Sequence, residues 1–125
     1  MHGKIFSYDE ARALIDTVRE KTEFANERLQ AFRSMLRAVP GDSPKARKMN
    51  EWIETVIAEW SREILACGAV PKGLWTVDFD SGAGYFYCWT LGENDLGHFH
   101  NYEEGFQGRR PISDIQRRST PHLLN

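Results

Sequence analysis

Pro40-Gly41-Asp42-Ser43-Pro44 interrupts a chain that is otherwise helical in pattern from Ser7 to Cys67, and its reading decides the fold. Pro40 and Gly41 cannot extend a helix. Ser43 can cap a new one, and Pro44 suits its first position, where a missing N–H costs nothing. So short a connection forces the two helices to lie antiparallel.

Working outward toward the N-terminus, Ser7-Tyr8-Asp9-Glu10 reads as a capping box, with Phe6 placed to staple onto Ala11 or Leu14. Ala11, Ile15, Val18, Thr22, Ala25, Leu29, Phe32, Leu36 and Val39 then alternate four- and three-residue steps. This heptad seam, widened by Leu14 and Met35, predicts an unbroken rod of about 48 Å. On the other side of the break the seam is Ala46, Met49, Ile53, Val56, Trp60, Ile64 and Cys67, flanked by Trp52, Ile57 and Leu65. Gly68 ends it.

From Gly73 the apolar period changes to two. Trp75-Thr76-Val77-Asp78-Phe79-Asp80, Tyr85-Phe86-Tyr87-Cys88-Trp89-Thr90-Leu91 and His98-Phe99-His100-Asn101-Tyr102 read as three strands of an antiparallel meander, joined by glycine-rich turns. The fold class expected is therefore α+β in a single domain. Residues 8–67 form a long, coiled-coil-like helical hairpin, 75–102 the three-stranded meander, and 103–125 a loop and tail with at most a helical turn near 113–118.

A turn closing on Asp80 and Tyr85 pairs Phe79 with Phe86, Asp78 with Tyr87, Val77 with Cys88 and Thr76 with Trp89. Alternation then lays Trp75, Val77, Phe79, Phe86 and Cys88 on the helices, with Cys88 a small core residue. Pairing Leu91 with His98 gathers Asp78, Tyr87, Trp89, His98, His100 and Tyr102 on the opposite face. A slip of one residue in either turn would flip a whole strand.

Net charge is −2 over 125 residues, without the basic excess of a nucleic-acid or anionic-membrane binder. No apolar run approaches the roughly 18 residues of a membrane span, and the N-terminus lacks the apolar stretch of a signal peptide. Two cysteines in such a chain are expected to be reduced thiols. The expectation is a cytoplasmic protein that binds neither nucleic acid nor membrane.

The sheet and the loop after it hold the residues capable of chemistry. His98-x-His100 sets two imidazoles on one strand face, a spacing metal sites use, with Asp78 or Glu93 as a third ligand. The competing reading is two histidines satisfied by neighbours at a sheet edge, with no cofactor. Asp78 near Tyr87 and His100 could act as an acid–base group, or simply hydrogen-bond a neighbour. Arg109 could fold back onto Asp78 or Glu93, and Glu103, Glu104 and Asp114 could pair with Arg109, Arg110, Arg117 and Arg118. Gly105-Phe106-Gln107-Gly108-Arg109 lacks the spacing of a phosphate loop.

Phe6-Ser7-Tyr8-Asp9-Glu10-Ala11, Val77-Asp78-Phe79, Cys88-Trp89-x-Leu91-Gly92-Glu93, His100 and Gly105-Phe106-x-Gly108-Arg109-x-Pro111-Ile112 together resemble the uncharacterised prokaryotic family known as domain of unknown function 2203. The resemblance implies a fold and a signature, with no activity to carry over. Its signature positions fall on Asp78, Cys88, Trp89, Glu93, His100, Gly105, Phe106 and Arg109. His98 stands where the family tends to have an aromatic residue, so a family-wide site could not depend on it.

Apolar positions beside the seam (Leu14, Met35, Trp52 and Ile57) suggest a homodimer through the helix surfaces. The function expected first is a non-enzymatic interaction module for an unidentified protein partner. It would present a polar-aromatic face with Asp78, Tyr87, Trp89, Glu93, His100 and Arg109. The alternative is a small metal-binding protein or hydrolase-type enzyme using Asp78, Glu93, His100 and Arg109.

Overall fold

The computed structural model describes residues 4–115, and Arg117 and Arg118 of the expected basic tail lie outside them. Three helices precede the sheet: α1 (Tyr8–Ala13), α2 (Ile15–Leu36) and α3 (Pro44–Ala66). Both expected caps form. The Ser7 hydroxyl accepts from the Glu10 N–H while the Glu10 carboxylate accepts from the Ser7 N–H, and the Ser43 hydroxyl accepts from the Ala46 N–H.

The first rod is not continuous. At Leu14 the N–H turns back to the Ala11 carbonyl, a tightened 3₁₀-type turn that separates α1 from α2. Tethers to the Asp95–Leu96 loop hold α1: the Tyr8 hydroxyl donates to the Leu96 carbonyl at 2.7 Å and Arg12 pairs with Asp95 at 3.0 Å. By contrast α2 follows α3, with Val18, Thr22, Ala25 and Leu29 buried against Val56, Trp60 and Ile64.

Among the described residues five strands, not three, form one antiparallel meander in the order β1 (Val70–Lys72), β2 (Thr76–Asp80), β3 (Tyr85–Thr90), β4 (His98–Asn101) and β5 (Arg110–Pro111). The two additional strands are the edges, and each contains a proline, Pro71 or Pro111. Proline cannot donate to a further strand, so it both blunts an edge and disguises the strand in the sequence.

The register also differs from expectation. Asp80 pairs with Phe86, Phe79 with Tyr87, Asp78 with Cys88 and Val77 with Trp89, one residue from the expected pairing. In the hairpin loop the Tyr85 carbonyl accepts from both the N–H and the hydroxyl of Ser81, and Gly82 and Gly84 take positive φ. That arrangement places Tyr85 within the turn on this side, so the ladder closes on Phe86. Between β3 and β4 the shift is three residues, with Cys88 opposite His98 and Phe86 opposite His100. There the connection dips to bury Leu96, which lengthens the loop.

Trp75, at the entry to β2, holds φ 69°, a left-handed conformation that costs a bulky residue roughly 1–3 kcal/mol. Its surroundings over-determine it. The indole N–H donates to Asn26 Oδ1 at 2.9 Å, the ring meets Trp60 edge-on at 5.0 Å, and the carbonyl accepts from Leu91 N–H and Thr90 Oγ1. Among the described residues no helix is long and apolar enough to cross a membrane.

The α2–α3 interface contains a buried polar link in which Trp60 Nε1 donates to Thr22 Oγ1 at 2.8 Å. Thr22→Val leaves that indole N–H without an acceptor inside the core. The expected loss is about 1–3 kcal/mol, read as a lowered urea midpoint at unchanged slope. A loss below about 0.5 kcal/mol would show that the link contributes little.

Candidate functional site

The observed register sorts the sheet's side chains. Val77, Phe79, Tyr87, Trp89 and Phe99 are buried, the first four within the main hydrophobic cluster with the helices. The opposite face receives Asp78 from β2, Cys88 from β3 and His100 from β4. Each is almost fully buried, and one ligand-type atom of each lies within 4.8 Å of the other two.

Cys88 is therefore not the core residue expected from the sequence. It stands directly across the ladder from Asp78 and shares its face. Tyr87 and Trp89, expected beside Asp78, are on the core side. Tyr87 packs edge-on against Tyr8 and Tyr85, and burial raises its hydroxyl above the ordinary tyrosine range. The Trp89 indole donates to the Glu93 carbonyl at 3.0 Å. The exchange has a simple cause: the larger rings displace Phe86 and Cys88 from the face that packs on the helices.

His100 is oriented through its far nitrogen. Nδ1 lies 3.0 Å from the Asn101 carbonyl oxygen, which can only accept, so Nδ1 carries hydrogen and donates. Nε2 lies 3.0 Å from Asp78 Oδ2, and one proton is held between them. Asp78 Oδ1, equally buried, has no hydrogen-bond partner among the described residues. Burial first, and then the neighbouring negative charge of Asp78, push the Cys88 thiol up to about 12, with Arg109 opposing them.

Glu93, His98 and Arg109 form a second cluster beside the first. Arg109 Nη2 donates to both Glu93 carboxylate oxygens, at 2.6 and 2.8 Å, and to the Cys88 carbonyl at 3.1 Å. Its guanidinium stacks on Phe106 with 4.6 Å to the ring centroid. Glu93 Oε1 also accepts from the Thr90 N–H, and Oε2 lies 3.2 Å from His98 Nδ1 without hydrogen-bond alignment. The expected fold-back of Arg109 onto Glu93 is thus present. His98, proposed from the sequence as the second histidine ligand, belongs to this cluster and not to the Asp78–Cys88–His100 group.

A cavity of about 290 Å³ opens over the first cluster. Besides Asp78, Cys88 and His100, its wall includes Lys72, Phe86, Tyr102, Glu104 and Phe106. Lys72 comes from the strand that the sequence pattern does not reveal. Phe106 comes from the 3₁₀ turn Phe106–Gly108, whose Gly-Phe-x-Gly-Arg run is a sequence signal for it. A Cβ at Gly108 would lie 2.7 Å from Glu104 Cβ, so this glycine allows Glu104 to close over the turn and reach the Asn101 N–H and Arg110.

A thiol titrating near 12 is ionised to only about one part in ten thousand at pH 8, and the Cys88 side chain is fully buried. Metal-free native protein should therefore show one reactive thiol, Cys67, toward a disulfide-exchange reagent at pH 8. The second should react only on unfolding. Two equally fast thiols in the folded protein would contradict this placement.

No curated protein and no solved structure matches the chain significantly. The profile of the family described as uncharacterized conserved protein (DUF2203) matches residues 4–112, a span that contains the hairpin, the whole sheet and both polar clusters, and the chain belongs to that family.

Proposed function

We propose that the protein binds a divalent transition-metal ion of the zinc class through Asp78 carboxylate, Cys88 thiolate and His100 Nε2, leaving one coordination position toward the cavity. The observation that carries this reading is the buried convergence of three ligand-type atoms, one of which belongs to an aspartate with an unpartnered oxygen. A buried carboxylate oxygen without a partner costs roughly 1–3 kcal/mol, a cost that a ligand removes.

The chemistry of the donor set fits. Ligand atoms at 2.0–2.3 Å from a tetrahedral ion stand about 3.3–3.6 Å apart. The His100–Asp78 separation of 3.0 Å must widen by a few tenths of an ångström, and the Cys88 sulfur, within 4.8 Å of both, must settle into the same range. Both are side-chain adjustments on a fixed backbone. The Nδ1–H bond to the Asn101 carbonyl is the outer hydrogen bond that metal-ligating histidines usually make, and it presents the Nε2 lone pair. Coordination would deprotonate a thiol that otherwise stays protonated. Three protein ligands with a fourth position open resemble catalytic zinc sites more than structural ones, which use four protein ligands.

Cobalt(II) titration of untagged, chelator-treated protein tests this. One equivalent should bind, generate a thiolate-to-cobalt absorption band, and raise the melting temperature by mass action. Cys88→Ser should abolish the band, and His100→Ala should weaken binding at least about a hundredfold. His98→Ala should leave binding unchanged. Absence of the band, or equal binding by His100→Ala, rejects the reading.

A second reading retains the expected helix-mediated homodimer. It is favoured by Phe24, Met35, Trp52 and Leu65, which keep between 41% and 61% of their surface exposed along the hairpin. Light scattering after size exclusion should then report twice the 14.4 kDa chain mass at micromolar concentration. A monomer there excludes the dimer and leaves the metal reading untouched.

A further inference from the structure

The cavity over the three ligands has a definite size and charge. At about 290 Å³ it lies at the lower edge of small-molecule sites and holds about ten waters. Three of its rings are in contact. The Phe86 ring lies 4.9 Å from that of Tyr102 and 5.6 Å from the His100 ring. The Tyr102 hydroxyl is committed to Asp80 at 2.5 Å, outside the cavity lining, so the ring is what Tyr102 offers to a ligand. Phe106 keeps 53% of its surface bare although Arg109 stacks on it.

The charges do not cancel. A divalent ion with Asp78 carboxylate, Cys88 thiolate and neutral His100 is a neutral unit. Glu104 is paired with Arg110 at 3.1 Å. Lys72, whose ammonium stands 5.9 Å from the Phe86 ring centroid, makes no ion pair among the described residues. One positive charge is left on the wall, beside a row of rings and an ion with an exchangeable position.

Resting on the metal reading above, we propose that this cavity binds a small organic monocarboxylate with a ring-sized apolar body. The carboxylate would occupy the open coordination position within reach of Lys72, and the body would lie among Phe86, Tyr102 and Phe106. A dianion would exceed the single positive charge left. A neutral molecule would gain nothing from the water-exposed Lys72 ammonium, and a small hydrophilic acid would leave the rings wet.

Benzoate added to the cobalt-loaded protein is the probe. The cobalt visible bands should shift saturably with benzoate and not with benzamide, which has the ring but no charge. Lys72→Gln should weaken benzoate about fivefold, as expected for a partly screened ion pair, with the cobalt band itself unchanged. Phe106→Ala should remove the preference for benzoate over acetate. A cobalt-loaded protein indifferent to benzoate, or binding benzamide equally well, overturns the carboxylate inference and leaves the metal reading standing. Failure to form the cobalt–thiolate band overturns the metal reading first, and this inference with it.

Discussion

Trp89 is fully buried with its indole N–H satisfied by the Glu93 carbonyl, and side chains alternate along a strand, so its burial commits Cys88 and Thr90 to the opposite face. The pairing of Val77 with Trp89 transmits the same choice to β2, where Asp78 must face away from the helices. Pairing of Tyr87 with Phe99 does the same for β4 and His100. One hydrophobic decision at the centre of the sheet therefore assembles three polar side chains on its other side. Moving Trp89 out of the core would cost roughly 3–5 kcal/mol, more than any single polar contact opposite could restore.

The sequence made the hairpin legible because its signals are local. The caps at Ser7 and Ser43 and the seam from Ala11 to Leu29 require nothing from distant parts of the chain. The turn at Leu14 was hidden, since it interrupts a pattern whose apolar spacing continues unbroken. Register was the least legible feature: the first turn closes through a local side-chain contact that strand alternation does not show, the Ser81 hydroxyl on the Tyr85 carbonyl, and the second through Leu96 drawn into the core. The two misreadings, by one and by three residues, are both odd, so they cancel between β2 and β4. That is why Asp78 and His100 share a face in both readings, while Cys88, Tyr87 and Trp89 on the intervening strand change sides. Lys72 could not be foreseen on the cavity wall, because Val70-Pro71-Lys72 is too short and too proline-like to declare itself a strand.

Glu93 explains why the Cys-Trp-x-Leu-Gly-Glu and Gly-Phe-x-Gly-Arg runs occur together. Its carbonyl satisfies Trp89, and its carboxylate accepts from the Thr90 N–H and from Arg109. Arg109 in turn grips the Cys88 carbonyl and stacks on Phe106. The two motifs clip the cavity rim to the strand that carries the thiol. At 12% and 22% side-chain exposure, the Arg109–Glu93 pair is sheltered enough to hold one geometry, unlike the open Arg12–Asp95 pair.

The division of labour between the two halves follows from energetics. A buried Asp–His pair with an orphaned carboxylate oxygen destabilises the sheet that contains it. Strands nevertheless give ligand side chains the fixed positions that loops do not. Such a sheet requires stabilisation from elsewhere. The buried seam of α2 and α3, the Trp60–Trp75 contact and the cluster under Trp89 provide it. Trp75 is where the two meet: its ring packs on the hairpin, while its left-handed backbone, three residues before Asp78, sets the start of β2. The helices thus act on the site through the position of that strand, without contributing a side chain to the cavity.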